Sequence, residues 1–231
     1  MEVEDILRSK LVGIEQSHRV APATTALLVI DMQHGFLDPG ASLEVPKGRE
    51  VLPNVTRLVE SCRTSNVRVV FTEFVYSTTI PCLRGDPFGV EHLPAEPGAL
   101  RGFGLPSSNC LIGTKPGTGA ESSATVDDLA PQEGDLVIQA HTYDKFYGTP
   151  LKLALRTWGV DRLIVTGVTT DVCVNSTILS AANRNYRVIA VTDGMATIQD
   201  HIHQACLEIW RNKFARLVQT DDLLAEFKSV V

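Results

Sequence analysis

The chain contains no apolar run approaching the ~18 residues that a membrane-spanning helix needs, so a membrane protein is not expected. It has no surplus of basic charge. Lys and Arg number 21 against 27 Asp and Glu, a net charge of −6, and a broad nucleic-acid-binding surface is excluded. The five cysteines, Cys62, Cys82, Cys110, Cys173 and Cys206, are odd in number and contain no CxxC pair. That pattern supplies neither a disulfide framework nor a zinc ligand set and suits a reducing compartment. The first twenty residues, MEVEDILRSKLVGIEQSHRV, lack the basic and apolar regions of a signal peptide and read as a charged helix. No internal repeat is visible. These absences predict a cytoplasmic protein with neither a membrane nor a nucleic-acid partner.

Hydrophobic residues make up 44% of the 231 and charged residues 21%, ordinary values for a globular chain. A chain of this length buries about 70% of its extended surface, enough for one domain spanning 1–231. Six short apolar runs recur: ALLVI (26–30), VRVVF (67–71), DLVIQ (135–139), LIVTG (163–167), VIAVT (188–192) and RLVQT (216–220). They are continuous rather than alternating, as in strands covered on both faces. Helix-period stretches fall between them, at 50–65, 148–158, 171–185 and 199–213. A last helix over about 221–228 is announced by Thr220 or Asp221 as its N-cap. Alternating β and α units predict an α/β fold with a parallel sheet. Residues 1–23 read as an N-terminal extension. Residues 76–125, with Pro81, Pro87, Pro94, Pro97, Pro106 and Pro116, read as a lid or a subunit contact.

Ligands of open α/β sheets bind beyond the carboxyl ends of the strands. Strand 1 ends in Asp31. Strand 4 runs into GVTTDVCVNST, where Thr169, Thr170 and Asp171 can cap a helix whose first turn carries Cys173. A thiol there feels the positive end of the helix dipole, and the unpaired backbone N–H groups beside it can hold an oxyanion. A carboxylate directly after a core strand can take the thiol's proton and return it to a leaving amine. A buried structural cysteine and a turn aspartate are the bland alternatives. Phe36, Tyr143, Phe146 and Tyr147 are candidate pocket walls, and Gln33, Thr170 and Asn175 candidate hydrogen-bond partners of a substrate. The glycine-rich GTKPGTG at 113–119 does not fit a phosphate loop. His201 and His203, two apart on a helix, diverge too far to share a metal.

IDMQHGFLDPG, TYDKFYGTPL and GVTTDVCVNST together resemble the isochorismatase-like cysteine hydrolases, over roughly 24–222. Within them the chain looks most like the branch holding biuret hydrolase, ureidoacrylate amidohydrolase and N-carbamoylsarcosine amidase. The resemblance implies a three-layer α-β-α fold with a six-stranded parallel sheet in the order 3-2-1-4-5-6, assembled as a homodimer or homotetramer. It implies an Asp–Lys–Cys triad, with Asp on Asp31 and Cys on Cys173. It also implies an oxyanion hole from the N–H groups of Thr169 and Cys173 and a cis peptide joining Val168 to Thr169. Counted back from FYGTPL, the lysine falls on Ala140. Two explanations stay open for that alanine, a Lys→Ala change introduced into an active parent or a natural pseudoenzyme. Lys145, five residues on, is a third way to supply the cation. The TEFVYSTTIPC segment after strand 2 lacks the histidines of the metal-bearing nicotinamidases, so no metal or other cofactor is expected. Cys173 argues against the vinyl-ether chemistry of isochorismatases proper. The expected activity is cleavage of a C–N bond in a small linear amide, carbamoyl or ureido compound through a thioester. The alternatives are a binding pseudoenzyme, an isochorismatase- or nicotinamidase-type hydrolase, and an interaction subunit using 76–125 as its contact surface.

Overall fold

The apolar runs assemble into one six-stranded parallel sheet in the computed structural model, which describes residues 3–41, 43–77, 80–83, 110–112 and 123–230. Its strands are β1 (Thr25–Ile30), β2 (Arg68–Phe74), β5 (Leu136–Ala140), β6 (Arg162–Val168), β7 (Arg187–Ala196) and β8 (Ala215–Val218). Two short strands, β3 (Tyr76–Ser77) and β4 (Leu111–Ile112), pair separately. The spatial order is β5-β2-β1-β6-β7-β8. Numbering only the six strands of that sheet gives 3-2-1-4-5-6, the order expected.

Seven α-helices connect and cover these strands among the described residues: α1 (Val3–Ser17), α2 (His34–Leu37), α3 (Gly48–Thr64), α4 (Leu151–Thr157), α5 (Asn175–Asn183), α6 (Asp200–Lys213) and α7 (Thr220–Val230). Strand β1 lies wholly in the core, and its side chains divide by the period of two. Leu27 and Val29 join a cluster with Val55, Leu58 and Val59 of α3 and Leu223 and Phe227 of α7. Ala26, Leu28 and Ile30 join another with Leu151 and Leu155 of α4, Ile178 of α5 and Trp210 of α6. A strand buried on both faces has no use for alternation, which is why its sequence reads as an unbroken apolar run.

Two boundaries differ from the sequence reading. The last strand stops at Val218, and Thr220 is the first residue of α7 rather than its cap. Asp193 of β7 caps that helix instead, accepting both the Thr220 N–H and its hydroxyl at 2.8 Å. The helix expected from 171 begins as a wider π-turn over Thr170–Val174, and regular α5 starts only at Asn175. Most of the proline- and glycine-rich 76–125 segment, expected as a lid or contact, lies outside the described residues.

Candidate active site

Strand order reverses around β1, whose neighbours are β2 and β6. Ile30 pairs with Thr72 on one side and Gly167 on the other, so the next residue, Asp31, leaves the sheet between two strand ends. Asp31 takes a positive φ of 53°, a conformation that Asp tolerates better than most residues. Its N–H continues the ladder to the Thr72 carbonyl at 3.0 Å. Gly167 permits the crossing. With φ +116° it lies so close to β1 that a Cβ there would sit 2.0 Å from the Ile30 carbonyl oxygen.

The Asp31 carboxylate is fully buried. The Thr72 hydroxyl donates to Oδ1 at 2.8 Å, and Lys145 Nζ stands 2.7 Å from Oδ2. Lys145 is itself only 1% exposed. Its ammonium also donates to the Thr142 carbonyl at 2.9 Å and lies 5.3 Å from the centre of the Phe74 ring. Of the sources of a cation that the sequence left open, it is Lys145, not a residue at position 140, that stands beside Asp31. Ala140 is the last residue of β5, in register with Phe74, and its carbonyl accepts the Val75 N–H. Beyond it the chain reverses. Asp144 turns outward to bond the Ser180 hydroxyl at 2.7 Å and the Phe146 N–H at 2.8 Å, while the Lys145 N–H donates to the Thr177 hydroxyl at 3.2 Å. Pinned on α5 in this way, the turn directs the Lys145 side chain inward to Asp31.

Cys173 sits in the π-turn after β6 and is buried. The Asp31 carboxylate and the Thr169 N–H both act on its thiol. Burial pushes the thiol well above its ordinary value and the Asp31 charge adds to the rise. The Lys145 charge and the Thr169 N–H act in the opposite direction. Desolvation is the larger influence. The Val168–Thr169 peptide is cis.

The expected pocket residues divide. Tyr143 stacks on Phe74 with centroids 5.5 Å apart and planes 7° apart, on the same aromatic floor as Lys145. Phe36 meets Phe74 edge-on at 6.3 Å from within the core. Gln33 is corrected. Its amide donates to the Phe74 and Ser123 carbonyls at 3.0 and 2.7 Å, and its Oε1 accepts the Phe74 N–H at 2.7 Å, so backbone occupies the group expected to meet substrate. Phe146 is packed in the core between Tyr186 and Arg184. Asn175 Oδ1 accepts the Trp210 indole N–H at 2.9 Å, and Tyr147 is 71% exposed. Thr170 is buried with its hydroxyl 2.9 Å from His203 Nδ1. Sequence reading missed Thr72, which an unbroken apolar strand hides. Among the described residues, no three His, Cys, Asp or Glu side chains form a metal-binding group.

The Isochorismatase domain model matches residues 25–222, an interval that opens with β1 and closes inside α7. The chain belongs to the isochorismatase family. Ureidoacrylate amidohydrolase RutB of Methylobacterium radiotolerans is 32% identical over 201 residues, covering 80% of this chain and 72% of that protein. A cysteine hydrolase from Pseudomonas syringae superposes with a TM-score of 0.72 at 22% identity, over 92% of this chain and 96% of that one. N-carbamoylsarcosine amidase from Thermoplasma acidophilum does so with a TM-score of 0.62 at 24% identity, over 86% and 97%. These two structures share the fold with this isochorismatase-family hydrolase.

Proposed function

We propose that the protein is a cysteine amidohydrolase acting on a small linear amide, carbamoyl or ureido compound. The observation that carries this reading is the buried cluster in which one carboxylate, Asp31, meets both the Cys173 thiol and the Lys145 ammonium. Asp31 takes the thiol proton, and the sulfur attacks the substrate carbonyl carbon. Lys145 holds the carboxylate in place and balances the negative charge that passes between oxygen and sulfur. The N–H groups of Thr169 and Cys173 receive the oxyanion. The C–N bond breaks, Asp31 protonates the departing nitrogen, and a thioester remains on Cys173. Water then attacks the thioester, giving one proton to Asp31, which returns it to the sulfur. Three side chains thus supply the nucleophile and every proton transfer, and the scheme calls on no cofactor.

The similarity to a ureidoacrylate amidohydrolase supports a ureido substrate. With Lys145 beside Asp31, this reading needs no lysine at position 140. A single domain, assembled as a homodimer or homotetramer in the cytoplasm, completes the reading, and sedimentation measures the assembly. The test is ammonia release from biuret, triuret, ureidoacrylate, N-carbamoyl amino acids, maleamate and nicotinamide. Release from at least one, lost in Cys173→Ala, is expected. Release that survives Cys173→Ala overturns the cysteine mechanism, and release from none by the unaltered chain overturns the amidohydrolase reading.

A further inference from the structure

Thr170 follows Thr169 as the first residue of the turn that carries Cys173, and its side chain is fully buried. Its hydroxyl lies 2.9 Å from Nδ1 of His203, on α6, and among the described residues that imidazole is the hydroxyl's sole hydrogen-bond partner. A buried hydroxyl left without an acceptor for its proton costs stability, so the proton belongs on the line to Nδ1. That makes Nδ1 an acceptor and places the ring's single proton on Nε2. The next residue is held in the same manner, since the Thr197 hydroxyl donates to Asp171 at 2.6 Å. The turn is thereby pinned from the residue after β7 and from α6 by two side-chain hydrogen bonds, of which only one runs to a ring that titrates near neutrality.

We infer that His203 is a positioning residue: its neutral ring, accepting the Thr170 hydroxyl, fixes the turn that presents the Thr169 N–H and the Cys173 sulfur, and protonation of the ring releases that turn. The inference rests on the amidohydrolase reading, because the turn it fixes is the one given the nucleophile and oxyanion hole. The charged and titratable groups around the ring come from several elements. Asp171 and Cys173 stand on the turn, Lys47 reaches across from the residue before α3 to pair with Asp200, and Asp200, His201 and Cys206 share α6. Partial burial favours the neutral ring, Asp200 favours the charged one, and Lys47 opposes the charge. The balance lies below the ordinary histidine value, so the acceptor form prevails at neutral pH. When the ring gains a proton, Nδ1 becomes a donor, and it and the Thr170 hydroxyl then offer two protons to one line.

The test compares the unaltered chain with His203→Asn and His203→Phe. Asparagine places an amide oxygen where Nδ1 stands and cannot titrate, whereas phenylalanine fills the space without an acceptor. The rate of ammonia release is followed from about pH 5 to about pH 8 on the substrate found above. The unaltered chain should show an acid limb in kcat with a midpoint below 6.5. His203→Asn should keep kcat at neutral pH within about two-fold and lose that limb. His203→Phe should lose about ten-fold in kcat at every pH, with KM unchanged. A wild-type kcat in His203→Phe, or the same acid limb in His203→Asn, overturns the inference.

Alkylation of Cys173 by iodoacetamide at neutral pH needs no substrate and separates this inference from the reading of function. Labelling about ten-fold slower in His203→Phe and restored in His203→Asn supports it even when no amide on the panel is cleaved. Equal labelling in all three proteins overturns it even when ammonia is released.

Discussion

Replacing Lys145 by methionine removes the ammonium and keeps an unbranched stem of similar reach. The partner left behind is Asp31, which is 0% exposed and loses a cation 2.7 Å from Oδ2. Removing one member of a buried pair costs about 3–5 kcal/mol, because the remaining charge has neither water nor counter-ion. The Thr142 carbonyl also loses its donor, and the face of Phe74 its cation. Asp31 can escape the penalty only by holding a proton, and a protonated carboxyl cannot accept one from the Cys173 thiol. The variant therefore loses either stability or its base. Urea unfolding should show a loss of about 3–5 kcal/mol, or a smaller loss where Asp31 is protonated. Ammonia release should fall by about 10²–10⁴-fold, the usual contribution of a positioned base. Normal turnover in Lys145→Met would refute the assignment of the cation to Lys145.

Gly167→Ala should fail to fold or melt far below the unaltered chain in a calorimetric scan, because its Cβ would lie 2.0 Å from the Ile30 carbonyl, and a normal melting temperature would contradict this. Gln33→Leu should cost about 3 kcal/mol or more in urea unfolding, by stripping three backbone groups of their partners. The folded fraction should keep its KM within about two-fold, and a large rise in KM would return Gln33 to the substrate pocket. Stability should fall on the alkaline side. Burial raises the Cys62, Cys110 and Cys173 thiols in the folded chain, so above the ordinary thiol value the unfolded chain holds fewer protons. The stabilisation is complete below about pH 8.5 and then declines by about 1.4 kcal/mol per pH unit for each thiol, towards the folded values. A urea midpoint unchanged between about pH 8 and about pH 10 would contradict the burial of these thiols.

Asp31 and Cys173 were legible because each follows a strand whose apolar run is unmistakable, and strand ends are where this topology gathers its chemistry. Lys145 was visible as an alternative source of the cation, but the sequence alone could not choose it. Counting along the chain places the cation at the strand end, whereas the inward direction of Lys145 is set by Asp144 and Thr177, through hydrogen bonds to residues 32 or more positions away. Gln33 misled for a related reason. A polar side chain beside a candidate catalytic carboxylate looks available until the backbone it serves, at Phe74 and Ser123, is known. The dipole at Cys173 is legible from a capping sequence, while the degree of desolvation belongs to the packed core.

The polar clamps at the strand ends have a consequence for how such a chain can diversify. Where the path leaves the sheet, the Val75 and Tyr76 N–H groups are held by the Ala140 and Cys110 carbonyls. Where it rejoins, Gln33 holds the Ser123 carbonyl, Glu73 holds Thr125 by two hydrogen bonds, and Met32 accepts the Val126 N–H. Both junctions are fastened by groups outside residues 84–109. Substitutions between residues 84 and 109 should therefore leave the contacts of Asp31, Lys145 and Cys173 described above in place, so that this part of the sequence is free to vary independently of the strand ends.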